Sequence, residues 1–262
     1  MDDLAALRLL VEWGADEALA DVPVDRFAPL PAVAAAFNPG PAQLSPRPAG
    51  ASLRPPIGGA AVASQACALA AAAATLDALH AALNGFEGCP LRATATSTVR
   101  PSGNPAAGLV LVAEAPGAED DRTGAAFSGP PGQMLDQVLG SIGLDRSAVL
   151  LTHLVPWRPP GSRAPNDAEI QACLPFLLRL LALAQPRRIL LVGAGPAKAL
   201  AGATEGVRRL RGRWLPVPIE GAESPAQALA LPPQDHWMRS AAAKRSLWAD
   251  LLELRQNIDQ AS

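Results

Sequence analysis

The residues best suited to chemistry gather in one loop. After the apolar run LVLV (109–112) the chain reads Ala113-Glu114-Ala115-Pro116-Gly117, then Glu119, Asp120, Asp121, Arg122, Gly124 and Phe127-Ser128-Gly129. Pro116-Gly117 turns the chain sharply at a strand end. Such a loop aims backbone N–H groups at a carbonyl while an aromatic ring, here Phe127, lies flat beside it. Glu114 adds a carboxylate at the turn. The plainer alternative is a strand-to-helix connection with solvated charges. A second apolar run ends on His153, and Arg158 and Arg163 follow it in WRPPGSR. A neutral imidazole offers one donor and one acceptor. His236 and the arginine-rich stretch VRRLRGR (207–213), with Arg211 inside it, complete the polar candidates. That stretch carries four arginines and no acid, which suits phosphate or a plain solvated loop.

The elements that must hold these residues alternate. Runs 109–117, 149–157 and 187–195 read as strands, and 214–219 and 226–231 as weaker ones. Between and after them, 132–143, 167–185 and 240–256 read as helices. Asn166 with Glu169 three residues on forms a capping box at the start of the second of these. Alternation of this kind predicts an α/β fold, a three-layer α/β/α sandwich around a short central parallel sheet. Sites in such sheets lie at the carboxyl ends of the strands. That rule selects Ala113–Gly117, His153–Arg163 and Gly193–Pro196.

Upstream, residues 2–20 read as a helix, 27–56 as a Pro/Ala/Gly-rich flexible linker, and 60–83 as a second helix stopped by Asn84-Gly85. The expected organisation is an N-terminal helical segment (1–24), a linker (25–59) and a single domain (60–262). The apolar stretch from Ala63 is broken by Ser64, Gln65, Asp77 and His80, so an amphipathic helix is expected and no membrane span. The acidic N-terminus lacks a signal-peptide pattern, which predicts a cytoplasmic protein.

Bulk composition narrows the function classes. The net charge of −2 excludes binding nucleic acid by overall charge, so any such contact must be local. Three cysteines, Cys67, Cys89 and Cys173, exclude a disulfide framework and a metal site made of cysteines alone. GAGPAK (193–198) follows a strand and opens a helix, as a dinucleotide fingerprint does. It lacks the third glycine and comes late in the chain, which weighs against a nucleotide-cofactor enzyme.

Taken in order, AEAPG, AEDDRTGAAFSG and GQML resemble the first motif of the family 4 type of the uracil-DNA glycosylase superfamily. LLTHLVPWRPPGSRAPNDAEIQACLPFL resembles the family's second strand and loop, LVGAGPAKAL its third strand, LRGRW its RG segment, and RSAAAKRSLWADLL its last helix. The resemblance spans about 88–254. It implies a DNA-repair glycosylase, acting as a monomer on DNA and hydrolysing the N-glycosidic bond of uracil or a related deaminated base after flipping it out. It implies that Phe127 stacks on the base, that Glu114 and the Ala115, Pro116 and Gly117 backbone line the pocket, and that Arg158, Arg163 and Arg211 contact phosphate.

Three departures from the family pattern bear on activity. His153 stands where the family has an Asn that pairs with uracil. Pro233 stands where the family has a His against the uracil O2, and His236 falls three positions later as its candidate substitute. The family's 4Fe-4S cluster needs four cysteines; Cys89 and Cys173 hold two of those places, while Phe86 and Trp157 hold the others. No cofactor is therefore expected. The alternative functional reading is a non-catalytic or very slow lesion-binding protein that keeps the base pocket.

Overall fold

A computed structural model describes residues 59–237 and 239–260. The helix read over 2–20 and the linker read over 27–56 lie outside the described residues. In chain order the elements are α1 (Gly59–Ala72), α2 (Leu76–Gly85), β1 (Ser102–Gly103), β2 (Leu109–Ala113), α3 (Ala118–Thr123), α4 (Gly129–Gly140), β3 (Leu150–His153), α5 (Asp167–Ala184), β4 (Arg188–Val192), α6 (Ala194–Ala201), α7 (Val207–Leu210), β5 (Trp214–Val217), β6 (Ala226–Leu231) and α8 (Ala241–Gln260).

The strands form one sheet in the order β1-β3-β2-β4-β6-β5. The four central strands are parallel, whereas β1 and β5 pair antiparallel at the two edges. The sheet expected to be parallel is therefore mixed. Its central strands are mainly apolar because helices cover both faces, with polar residues such as Thr152, His153, Arg188 and Gln227 among them. Val110 and Val112 face a core shared with Phe176, Leu177 and Leu181 of α5. Leu109, Leu111 and Ala113 face Leu135 and Leu139 of α4 and Leu247, Leu251 and Leu254 of α8. Those two clusters are the outer spaces of a three-layer sandwich.

Local chemistry moved several boundaries. The helix read over 60–83 is two helices, because the Thr75 hydroxyl caps the Ala78 N–H and starts α2 afresh. The charged run after Gly117 is itself helical: Glu119, Asp120 and Asp121 occupy the first turn of α3, where an acidic side chain meets the unpaired N–H groups. The Asn166–Glu169 capping box forms as expected, with Asn166 Oδ1 accepting from the Glu169 N–H at 2.9 Å. Among the described residues, no helix is long and apolar enough to cross a membrane.

Candidate active site

A cleft of about 480 Å³ opens at the carboxyl ends of β2, β3 and β4. Glu114, Ala115, Pro116 and Gly117 line it from the first loop, and His153, Ser162 and Arg163 from the second. Val192 and the loop after β6, Pro233, Gln234 and Asp235, close the far side. Two backbone bonds couple the first two loops: Leu154 N–H to Ala113 O at 2.7 Å and Val155 N–H to Glu114 O at 3.4 Å.

Glu114 is held in a recess made by glycine. A Cβ on Gly195 would stand 2.8 Å from Glu114 Oε1, so only glycine leaves the carboxylate its present place. Burial pushes the Glu114 carboxyl above the usual carboxylate range.

His153 is almost fully enclosed, with 4% of its side chain exposed. Desolvation lowers its pKa to about 4 against the raising effect of the Asp120 carboxylate, so the ring is neutral at pH 7. Its Nε2 lies 3.5 Å from Asp120 Oδ2. Asp120 also accepts from two N–H groups of its own loop, Gly117 at 3.0 Å and Ser128 at 2.6 Å.

Phe127 is 1% exposed and does not line the cleft. Its ring stacks on His153, with centroids 5.1 Å apart and planes 11° from parallel. The expectation that Phe127 offers an open face to a base is corrected: the imidazole covers that face. The backbone of Phe127 sits at φ 57°, a left-handed value that costs a bulky side chain about 1–3 kcal/mol. Arg146 Nη2 donates to its carbonyl at 2.8 Å, and Gly132 approaches that oxygen so closely that a Cβ there would stand 1.9 Å away.

The sequence profile of the uracil DNA glycosylase superfamily matches residues 100–252, which takes in every one of these cleft loops. The chain belongs to the uracil DNA glycosylase superfamily. A Type-4 uracil-DNA glycosylase of Pyrobaculum aerophilum is 39% identical over 125 residues, 48% of this chain and 64% of that protein. One from Archaeoglobus fulgidus is 39% identical over 105 residues, 40% of this chain and 53% of that protein. One from Saccharolobus solfataricus is 32% identical over 157 residues, 55% of this chain and 73% of that protein. The chain thus spans from about half to about three quarters of the length of these curated relatives. It is a divergent member of the type-4 branch.

The divergence is visible in the late loop of this glycosylase fold. Pro233 lines the cleft where the branch's His is expected, and His236 does not line it. The loop is pinned: Trp237 is fully buried and donates to Pro232 O, Gln234 donates to Pro131 O, and Arg239 pairs with Asp235. His236 is left with half its side chain exposed, 3.7 Å from Asp235. The expectation that His236 takes over the lost donor is not met in this arrangement.

The basic candidates separate likewise. Arg163 borders the cleft, its guanidinium held by both oxygens of Glu169. Arg158 donates to Ser162 Oγ at 2.9 Å and does not line the cleft. Arg211 is turned inward onto Asp250, at 2.8 Å, so its expected role on a DNA phosphate is replaced by a structural ion pair. Arg208 and Arg209 on α7 are exposed, as is Arg213, which pairs with Glu205 at 3.0 Å.

The residues at the branch's cluster positions do not fit four-thiolate ligation. Phe86 and Trp157 are fully buried there. Phe86 packs on Phe176 with centroids 5.1 Å apart, and Trp157 Nε1 donates to Thr98 Oγ1 at 3.1 Å. The two remaining thiols, Cys89 and Cys173, hydrogen-bond each other; that bond pushes Cys89 down and Cys173 up, with burial adding to the latter. Cys67 lies exposed on α1.

Three polar cleft residues, Asp120, Gln234 and Asp235, escaped the sequence reading. Asp120 looked like one charge in a solvated run; its signal was its place three residues after Gly117, where a helix's third position can reach back to the cap. Gln234 and Asp235 carry no such signal, since a loop's path depends on distant anchors such as Trp237.

Proposed function

We propose that this protein is a DNA-repair glycosylase that hydrolyses the bond between deoxyribose C1′ and the ring nitrogen of uracil or a related deaminated base in DNA. The observation that carries this reading is the convergence of Glu114, the Ala115–Gly117 backbone and His153 on one cleft. The nucleotide must first leave the stack, at a cost of about a few kcal/mol. As the C1′–N bond breaks, its electron pair passes to the base and the sugar becomes cationic. N–H groups of the 115–117 turn are suited to the negative charge on the departing base. The Glu114 carboxylate is suited to the sugar cation and to taking a proton from the water that attacks C1′. Glu114 and His153 are the catalytic candidates we retain, and no step uses a metal.

Arg158, Arg163 and the exposed Arg208 and Arg209 are the side chains we assign to DNA phosphates. Removing any one of these charges weakens binding and flattens its salt dependence. We assign the activity to residues 60–262 acting as a monomer, and in the cytoplasm.

Single-turnover incubation with DNA containing uracil, hypoxanthine or xanthine, single- and double-stranded, tests the proposal. Free base and an alkali-labile site are expected from at least one substrate. Tight binding without release from any of them would favour the slow, lesion-binding alternative.

A further inference from the structure

Phe127, Ser128, Asp120 and His153 form a closed circuit. Asp120 accepts from the N–H of Ser128, the residue after Phe127. It also faces His153 Nε2 at 3.5 Å, and the His153 ring lies on the Phe127 ring. Asp120 is 6% exposed and lines the cleft beside His153. Oδ2 both accepts from the Gly117 N–H and faces His153, while Oδ1 accepts from Ser128; capping α3 alone explains neither the bond to Ser128 nor the aspect towards His153.

We propose that Asp120 is a positioning residue for the base-handling reaction: it fixes His153 as the tautomer protonated on Nε2, while Phe127 clamps the ring from behind. A carboxylate attracts an N–H and repels a nitrogen lone pair, so the proton of a neutral imidazole sits on the nitrogen facing it. Nδ1 is then left as an acceptor. An asparagine in this place donates and accepts at once; the fixed imidazole accepts only, which suits a base that offers a ring N–H. The backbone strain at Phe127 fits this arrangement, because strained residues persist where surrounding bonds over-determine them. The inference rests on the reading of the cleft as a base pocket, but the tautomer is measurable without any substrate.

The test is long-range ¹H–¹⁵N NMR of histidine-labelled full-length protein at pH 7, with His153→Gln used to assign the signal. The wild type is expected to show one neutral His153 tautomer, protonated on Nε2. Asp120→Asn is expected to shift the population towards Nδ1–H. In single turnover it is expected to slow base release by roughly 10–100-fold, as a small misplacement does, with DNA affinity changed less than about threefold. A wild-type His153 protonated on Nδ1, or an even mixture of tautomers, would overturn the inference, and this readout holds even if the variant does not fold. An unchanged tautomer in Asp120→Asn would overturn it too, as would unchanged release. Absence of release by the wild type would remove the proposed activity, a result distinct from the tautomer.

Discussion

The rings of Phe127 and His153 stack in parallel, 5.1 Å apart, so the aromatic expected to receive a base instead receives a histidine. Burial holds that histidine neutral, with a pKa of about 4. In the unfolded chain the same group titrates near ~6.5. Between those values the unfolded state binds the extra proton, so stability rises with pH. The contribution is complete above about pH 6.5 and is lost as pH falls towards 4, by up to about 3 kcal/mol. Urea denaturation from pH 7 to pH 4 is expected to show this slope, and His153→Gln to flatten it.

Glu114 and Gly195 meet in the same way at the other side of the cleft. Gly195→Ala places a methyl 2.8 Å from Glu114 Oε1, and the carboxylate must move. Base release is expected to fall by roughly 10–100-fold with little change in DNA affinity. The raised Glu114 carboxyl adds a pH signature. As pH falls through its raised pKa the group gains a proton, so the acid limb of the rate profile lies above that of an ordinary carboxylic acid. Glu114→Gln is expected to remove that limb together with most of the rate.

Trp157 and Phe86 are packing residues where the branch's ligands are expected. Trp157→Ala is expected to destabilise the fold by about 3–5 kcal/mol, the usual cost of emptying a large core site. Thermal unfolding with and without an iron chelator is expected to give the same midpoint, and metal analysis to find no stoichiometric iron. A chelator-dependent midpoint would show that these residues tolerate a cluster after all.

Arg211 and its exposed neighbours are expected to differ in kind. Arg211→Ala leaves Asp250 buried without its partner, and burial already raises that carboxyl. A loss of about 3–5 kcal/mol in stability is expected. Arg208→Ala and Arg209→Ala are expected to leave stability within about 0.5 kcal/mol and to lower DNA affinity, with a shallower salt dependence. Denaturant titration and binding at two salt concentrations separate the two outcomes.

The fold was legible because its signals are local and periodic. The three main strands are apolar runs between helical patterns, and Asn166-x-x-Glu169 marks a helix start without any tertiary information. Most of the position of the cleft followed from the same pattern: residues of 113–117 and 153–163 line it, whereas at the third strand end the lining residue is Val192 and not the selected Gly193–Pro196. The orientation of β1 and β5 was not legible, because edge pairing depends on residues far apart in the chain. The state of the site residues was hidden for the same reason. Nothing near Phe127 in sequence tells that His153 covers it, and nothing near Arg211 announces Asp250.

The proposed activity depends on whether this cleft releases a base. The most direct test is single-turnover release of free base from a uracil-containing oligonucleotide, with the protein in excess, compared with its Glu114→Gln variant. Stoichiometric release by the wild type is expected, with a loss of at least about a hundredfold in the variant. No release by the wild type, or equal release by both, would contradict the assignment of catalysis to Glu114 and its cleft.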